Sequence, residues 1–366
     1  MAHRSNTQTP RSRPLLVRPG AAFRCFGDGL CCTDIHALGA LTRSEVKELR
    51  QRDKLSVIYS DEIEAHCLKP VDHHCLYLDE QRCSLHARHG AEAKPVGCRR
   101  FPYGLVNTPL GGRVTTEHRC TCRTLGERPP LSLDDAEASL RDRAGRLEVD
   151  QDAPSRIALS AGKRVPFATY AALEAGMIER LNAGEAAESV ILAKPLPELT
   201  EGGWASIAVE HIETCDDSAG GVAFAWFGDA LLELAKGHTP PQRPRPWRAA
   251  FERALARGGP AQSAEQVYND WIADELWGFR WLPWGPFDVA RAELATRLAA
   301  ARVIQRRVQR EDVRDDQAAA EAVMICELIS EGAEWPRAVS TIAKDPSPAR
   351  ALAVPGAPVP AARLSR

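Results

Sequence analysis

The alternation of apolar and polar positions divides the chain into two unlike parts. Beyond residue 130, apolar residues recur at spacings of three and four, which is the periodicity of amphipathic helices. Residues 288–310 and 318–330 predict a helical hairpin with its turn at 311–316. Another helix is predicted after Pro166, which suits a first helical turn. The apolar stripe of that helix consists of Tyr170, Leu173, Met177 and Leu181.

Local signals place further elements. Thr42 followed by Glu45 is a capping box, which predicts the start of a helix in the first third of the chain. After Cys75, leucines alternate with polar residues up to a polar turn, as in a short hairpin that would bring Cys75 and Cys83 face to face. Ser132 predicts another helix N-cap, with acidic residues in the first turn that follows it.

Composition places a domain boundary near the adjacent prolines 129 and 130, because neither proline continues a helix. We predict an α+β fold, with an irregular cysteine-rich metal module containing a short hairpin, followed by a mainly α-helical domain. In chain order the predicted segments are a disordered 1–14, the cysteine-cluster domain 15–128, the helical domain 129–344 with a proline-rich connector at 237–247, and a disordered tail 345–366.

The charge is balanced and the composition is that of a globular protein. Among 366 residues, 44% are hydrophobic, and 47 basic residues nearly match 49 acidic ones. The net charge of −2 gives no global field, so we expect no nucleic-acid and no membrane partner. The N-terminus has no apolar signal region, and no apolar run reaches the roughly 18 residues of a membrane span. We therefore expect a cytoplasmic location, where clustered thiols usually hold metal or carry out redox chemistry.

Nine of the eleven cysteines lie between residues 25 and 122, which indicates metal binding more than scattered core thiols. The densest group has three thiols and one carboxylate within eight residues, and Gly27 and Gly29 allow that loop to wrap inward. Cys120 and Cys122 would share one face of an extended strand. The predicted metal ligands are Cys25, Asp28, Cys31, Cys32, Cys75, Cys83, Cys98, Cys120 and Cys122.

Other residues of this region have competing explanations. Arg99 and Arg100 could offset the negative charge of a thiolate-bound cofactor, or they could simply face solvent. Cys326 fits a buried apolar thiol, Cys67 is ambiguous, and Cys215 has no explanation. Each histidine of the region fits a surface or hydrogen-bonded role better than a ligand role. These histidines are His36, His66, His73, His74, His86, His89 and His118.

The order and spacing of these residues resemble the CxxCxxCC or YkgJ-like family of cysteine-cluster proteins, which is regarded as zinc- or iron-chelating. The family has a cysteine where this chain has Asp28, and an oxygen ligand there would change metal affinity and redox potential. The resemblance covers residues 23–122. It rests on Phe23-x-Cys25-x-x-Asp28-Gly-x-Cys31-Cys32, the LTRSE helix start, Cys75-x-Tyr-Leu-Asp79 with Cys83, and Lys94-Pro95-x-x-Cys98-Arg99-x-Phe101-Pro102.

The helical part, especially residues 294–310 and 318–329, is similar to the C-terminal part of larger, flagellin lysine N-methylase-like members. This resemblance implies an iron–sulfur cluster and transfer of methyl from S-adenosylmethionine to the lysines of a protein substrate. A methylase would need a pocket beside an open cluster edge. The aromatic residues that could form its wall, or that could simply pack in the helical domain, are Trp271, Trp277, Phe279, Trp281 and Trp284.

The sequence is therefore compatible with three functions. The first is a metal-binding protein that chelates zinc or an iron–sulfur cluster, since both accept four cysteines. The second is the iron–sulfur-dependent lysine N-methyltransferase, and the third is a zinc-stabilised scaffold that binds a protein. The sequence has no CxxxCxxC, no GxGxxG after a predicted strand, no GxxxxGK[ST] and no HExxH. These absences disfavour radical, Rossmann, ATPase and metalloprotease chemistry.

Overall fold

The computed structural model describes residues 14–36, 38–60, 64–80, 82–142, 144–196, 203–213, 216–237, 239–258, 261–332 and 334–344. The two segments predicted to be disordered lie outside these ranges except for Pro14, and Cys215 lies outside them as well. Within these ranges the chain is a mixed α and β protein with small sheets and a helical C-terminal region.

The strands are short, and all twelve that the structure describes lie in the first half of the chain. They are β1 (Leu15–Val17), β2 (Val57–Ser60), β3 (Ala65–Leu68), β4 (Pro70–Val71), β5 (His74–Cys75), β6 (Leu78–Asp79), β7 (Arg82–Cys83), β8 (Tyr103–Thr108), β9 (Gly111–Thr116), β10 (Gln151–Asp152), β11 (Arg156–Ser160) and β12 (Lys163–Pro166).

The five described helices before residue 141 have 4 to 10 residues, whereas the longest helix of the second half has 23 residues. The helices are α1 (Arg43–Arg52), α2 (Ser84–His89), α3 (Val96–Arg100), α4 (Thr121–Thr124), α5 (Leu133–Leu140), α6 (Phe167–Asn182), α7 (Ala187–Ile191), α8 (Gly203–Glu213), α9 (Ala219–Lys236), α10 (Arg248–Arg257), α11 (Ala264–Trp277), α12 (Phe287–Gln309), α13 (Asp315–Glu331) and α14 (Glu334–Lys344).

A four-stranded sheet with the strand order β1-β9-β8-β10 lies between two hydrophobic cores. β8 and β9 are antiparallel, whereas β1 and β10 add in parallel at the two edges. Because successive side chains of a strand point to opposite faces, Leu105 packs with Leu140 of α5, while Val106 joins the large helical core. The sheet thus connects the first third of the chain to the helices.

The helical hairpin and the predicted caps are confirmed. Helices α12 and α13 pack together, and their ends lie within three residues of the predicted limits. The Thr42 side chain accepts from the Glu45 N–H while the Glu45 carboxylate accepts from the Thr42 N–H, so both halves of the capping box are present. Ser132 caps α5 by accepting a hydrogen bond from the Asp135 N–H.

Two predictions for the second part need correction. Leu173 is 46% exposed, although the other three residues of its predicted stripe are buried. Pro166 was expected in the first turn of α6, but it lies in an antiparallel hairpin that β11 and β12 form before that helix. The hairpin turn contains Gly162 at a φ of +75°, a backbone conformation that glycine adopts at little cost. Pro166 ends β12 and serves as the N-cap of α6.

A buried group of charges joins the first third to helix α11. The Asp274 carboxylate accepts from Arg18 Nε and Arg123 Nη2, each at 2.5 Å, and from His118 Nε2 at 2.9 Å. Asp270, one helical turn earlier, pairs with both arginines. Burial alone would raise the pKa of Asp274, but Arg123 and Arg18 outweigh it and hold that pKa well below its ordinary value.

The first third of the chain also makes a close backbone contact with the end of helix α10. Gly126 has a φ of +72°, and a Cβ atom there would lie only 2.0 Å from the Gly258 carbonyl oxygen at the end of α10. The adjacent Glu127 N–H donates to the same oxygen at 2.6 Å. Only glycine fits this contact, because any side chain would collide with the backbone of the helix end.

Candidate functional site

Five of the predicted ligands line one small cavity in the first third of the chain. The cavity has a volume of about 40 Å³, and its remaining walls include Leu38, Leu68, Tyr77, Lys94 and Phe101. We call it the thiol cavity. Its cysteines are Cys31, Cys32, Cys75, Cys83 and Cys98.

The loop that carries the first two of these thiols is shaped by glycines, as the sequence predicted. Gly27 and Gly29 have φ angles of +67° and +84°, which reverse the chain into a short 3-10 turn at Leu30–Cys32. The Asp28 carboxylate accepts the Leu30 N–H at 2.8 Å and fixes the start of that turn. Cys32 is half-buried, whereas Cys31 is exposed at the cavity's edge.

The predicted hairpin is present, but its register is not the predicted one. In the β6–β7 pair, Cys83 lies opposite Leu78, while Cys75 pairs with Pro70 in the separate β4–β5 hairpin. A turn at Leu76 and Tyr77 separates the two pairs, so Cys75 and Cys83 are not cross-strand neighbours. Both thiols still reach the thiol cavity from their different hairpins.

Cys98 lies on α3, which is fixed to α1 by a single carboxylate. Glu45 of the capping box accepts the Thr42 N–H through Oε2 and the Val96 N–H, at the start of α3, through Oε1 at 2.7 Å. Pro95 immediately precedes α3 as its N-cap. The buried Glu45 therefore satisfies free N–H groups at the first turns of both helices and sets the position of Cys98.

Burial favours the protonated form of two cavity thiols, Cys75 and Cys98. It raises the pKa of Cys75 to about 11 and that of Cys98 to about 12. Neighbouring thiols raise both values further, whereas the positive charge of Lys94 lowers the pKa of Cys98. A metal ion that binds thiolates here would have to displace protons, so its affinity would increase with pH.

Three more cysteines and the carboxylate form a second cluster, which we call the Asp28 group: Cys25, Asp28, Cys120 and Cys122. The Cys122 thiol donates to Asp28 Oδ2 at 2.6 Å, and the Phe26 N–H donates to the Cys122 sulfur at 3.1 Å. The hydrogen bond with Cys122, followed by burial, raises the pKa of Cys25. The loop from Cys25 to Cys32 therefore supplies thiols to both the thiol cavity and the Asp28 group.

The predicted extended strand at Cys120 and Cys122 is wrong. Cys120 is the N-cap of helix α4, and Cys122 lies inside that helix. One helical turn still lets the two side chains form a hydrogen bond. Arg128 closes this side of the cluster, since it donates to the Cys122 carbonyl at 2.6 Å and lies over the Phe26 ring.

The cation that lines the thiol cavity is Lys94, which the sequence analysis named only within the family motif. Arg99 forms an ion pair with Glu92, and Arg100 forms one with Asp150. A role of Arg99 toward a bound cofactor therefore stays a prediction. The sequence signal for Lys94 is its place directly before the proline that opens α3.

His73 and His118 have the hydrogen-bonded role expected of them, whereas the buried His36 departs from the expected surface or hydrogen-bonded role. His118 bonds to Asp274, and His73 bonds to Asp34 at 2.6 Å. The His36 ring packs on Phe101 with 4.8 Å between ring centroids. Cys326 is fully buried among the helices and its thiol donates to the Arg297 carbonyl, as expected of a core thiol.

Within the described ranges, no three His, Cys, Asp or Glu side chains are arranged so that they could hold a metal ion. The thiol cavity gathers donors of suitable chemistry without presenting a finished coordination sphere. In the same part of the chain, no helix is both long enough and apolar enough to cross a membrane.

Comparison with known proteins gives no match, so the functional argument rests on the site itself. No protein-family model, no curated protein and no solved structure matches this chain. The resemblance to the YkgJ-like family therefore stays a prediction.

Proposed function

We propose that this chain is a metal-binding protein that holds a metal ion in the thiol cavity. The observation that carries the proposal is the convergence of five cysteines on one cavity from four separate segments: the loop before α1, two different hairpins, and helix α3. Thiolates brought together from separate segments are the donor set of structural zinc sites.

The most suitable donors are Cys32, Cys75, Cys83 and Cys98. These four belong to the small hydrophobic core around the cavity, whereas Cys31 is exposed and is not part of that core. Four thiolates complete a tetrahedral zinc site. Lys94 would partly offset the net charge of about −2 that such a site carries.

The size of the cavity favours one ion over an iron–sulfur cluster. Its volume of about 40 Å³ is a few times the ~10–15 Å³ that a cavity needs to hold one water molecule. A [4Fe–4S] cluster contains eight heavy atoms and needs more room than this. Zinc is therefore the metal we propose, with the cluster as the alternative that the first experiment tests.

The competing explanation is that these thiols are ordinary core side chains. The apolar part of this core is small, and it consists of Leu38, Leu41, Leu49, Val57, Leu68 and Leu85 beside the cysteines. A core of this size gives limited stability without a metal or a disulfide. A bound metal contributes folding free energy on the order of 10 kcal/mol, which favours metal binding.

Anaerobic purification followed by metal analysis tests the proposal. We expect stoichiometric zinc in a colourless protein that contains no acid-labile sulfide. Iron with acid-labile sulfide and a broad absorption band near roughly 400 nm would show that the site holds an iron–sulfur cluster instead of zinc. Protein that contains neither metal, and that takes up neither zinc nor iron after reduction, would contradict the proposal.

Serine substitutions identify the ligands. We expect Cys75→Ser and Cys98→Ser each to lower the bound metal per chain by about tenfold or more at a fixed chelator concentration, because each removes a thiolate from the coordination sphere. The matched controls are Cys67→Ser, a buried thiol of the same region, and Cys326→Ser in the helical core. Equal metal loss in the controls, or full retention in the test variants, would refute the assignment.

Asp28→Asn tests whether the carboxylate is a ligand. Its two oxygens accept from the Leu30 N–H and the Cys122 thiol, and it does not line the thiol cavity. We expect the variant to keep the metal of the thiol cavity and to lose about 1–3 kcal/mol of unfolding free energy. Loss of one equivalent of metal in Asp28→Asn would instead place a metal ion in the Asp28 group.

The methylase and scaffold functions stay predictions. The aromatic residues considered for a methylase pocket mostly pack in the helical core, where Trp271, Phe279 and Trp281 are fully buried. Packing is therefore the better explanation of those three residues. Trp284 differs from them because it borders an open cavity.

A further inference from the structure

Cys31 differs from the other cysteines of the thiol cavity. It lines the cavity and is exposed, whereas Cys75 is buried and the other three are half-buried. It is also the one cavity cysteine that does not belong to the hydrophobic core around the cavity. Because four thiolates complete a tetrahedral zinc site, Cys31 is a fifth thiol at the edge of a site that needs four.

Cys31 is bonded to one of the four proposed ligands. The Cys31 and Cys32 side chains form a hydrogen bond, and both residues belong to the 3-10 turn at Leu30–Cys32. When Cys32 binds zinc as a thiolate, the Cys31 thiol still carries its proton and can donate it to the Cys32 sulfur. The two sulfur atoms are therefore placed to exchange one proton and one bond to the metal.

The loop that carries both thiols is fixed from outside the cavity. Arg253 of helix α10 donates two hydrogen bonds to the Asp28 carbonyl oxygen, at 2.7 and 2.9 Å, and Arg257 donates to the Phe26 carbonyl oxygen at 2.6 Å. Hydrogen bonds from charged donors are stronger than those from neutral ones, so these contacts hold the loop beside the cavity. An exchange between the two sulfur atoms is therefore expected to involve side-chain rotation more than backbone movement.

We propose that Cys31 is the thiol through which zinc leaves and enters the thiol cavity, a role that rests on the zinc site proposed above. The zinc–sulfur bond to Cys32 breaks as a bond to Cys31 forms, and the Cys31 proton passes to the Cys32 sulfur. Neither the net charge nor the number of thiolates changes in this step. Zinc has no geometric preference from its d electrons and can expand to five ligands, which keeps the barrier to such a substitution low.

The consequence is a zinc site that exchanges its metal while the protein stays folded. A site whose ligands are all enclosed releases its metal mainly when the protein opens locally. Zinc that has moved to Cys31 lies instead at the exposed edge of the cavity. The ligands that reach it there are small molecules with sulfur or nitrogen donors, which zinc prefers.

Zinc transfer from the full chain to a chromophoric pyridylazo chelator tests this role. The zinc-loaded chain is kept anaerobic, transfer is followed by absorbance, and zinc affinity is measured by competition at equilibrium. We expect Cys31→Ser to slow transfer about tenfold or more but to leave affinity within about twofold, because the four ligands remain. The matched control is Cys25→Ser, an exposed thiol of the same loop that does not line the cavity, and it should change neither quantity.

The possible failures are distinguishable. Equal transfer rates for Cys31→Ser and the unaltered chain would overturn the inference. A large loss of zinc affinity in Cys31→Ser would also overturn it, since Cys31 would then be one of the ligands. An unaltered chain that binds no zinc would remove the zinc site itself and this inference with it.

Thiol labelling provides a second test in which Cys31 itself is not substituted. The zinc-loaded Cys25→Ser chain is used, so that the other exposed thiol of the loop is not labelled. We expect N-ethylmaleimide to modify Cys31 while the four ligands stay protected by zinc, and the labelled chain to transfer zinc as slowly as Cys31→Ser. Protection of Cys31 in the zinc-loaded chain, as shown by mass mapping, would overturn the inference.

Discussion

Replacing Asp274 with asparagine is expected to lower the free energy of unfolding by about 3–5 kcal/mol. Asp274 is 3% exposed and accepts hydrogen bonds from the buried Arg18 and Arg123. The amide keeps the shape of the side chain but removes the charge, which leaves the two guanidinium groups with too little compensation. Chemical denaturation monitored by circular dichroism measures the change.

Glu252→Gln is the matched control for this substitution. Glu252 pairs with Arg248 at 2.7 Å on the surface of α10, and about half of each side chain is exposed. Exposed pairs contribute only about 0–1 kcal/mol, so the control should change stability little. Similar effects of the two substitutions would contradict the importance assigned to the buried charges.

The effect of Asp274→Asn should depend on pH in a defined direction. The pKa of Asp274 is lower in the folded chain than its ordinary value of 3.8, so its ionised form stabilises the fold above that value. This stabilisation is lost as the pH falls through the folded pKa. The difference in unfolding free energy between the unaltered chain and Asp274→Asn should therefore be constant near neutral pH and shrink in strong acid.

Removing the metal with a strong chelator is expected to unfold the region around the thiol cavity, if the proposed zinc site is correct. The loss of a contribution on the order of 10 kcal/mol exceeds what the small leucine-rich core can replace. Limited proteolysis with mass mapping should show rapid cleavage in residues 38–100, while the α12–α13 hairpin stays protected.

Re-addition of zinc provides the control for this experiment, because it should restore protection if metal loss caused the cleavage. Protein that is verified to be metal-free and yet remains resistant to protease would contradict the coupling between metal and fold. The Cys98→Ser variant should behave like the chelated protein before any chelator is added.

Local sequence signals predicted local structure well. The capping box at Thr42 and the N-cap at Ser132 are formed by short-range hydrogen bonds, which depend only on residues three positions apart. The α12–α13 hairpin was predictable because its apolar residues repeat with helical spacing over a long stretch, and few other structures fit that pattern. Five of the nine predicted ligands line the thiol cavity, but their clustering in the sequence did not separate them from the four residues of the Asp28 group.

Features that depend on distant residues could not be predicted in this way. The positions of Cys75 and Cys83 are set by two separate two-residue strand pairs, which carry too few residues for a periodic pattern. Cys120 and Cys122 have a spacing that fits a strand, but Cys120 starts a single helical turn. The partners of Asp274 lie more than 150 residues away in the sequence.

The charges shared between Arg18, Arg123, Asp270 and Asp274 also bear on whether the two parts of this chain can be exchanged as modules. A cut near residue 129 would leave both arginines on one fragment and both aspartates on the other. Each fragment would then expose like charges that had been neutralised by the other. Recombination that transfers one part into another protein would have to transfer these countercharges with it, so the two parts are expected to be inherited together.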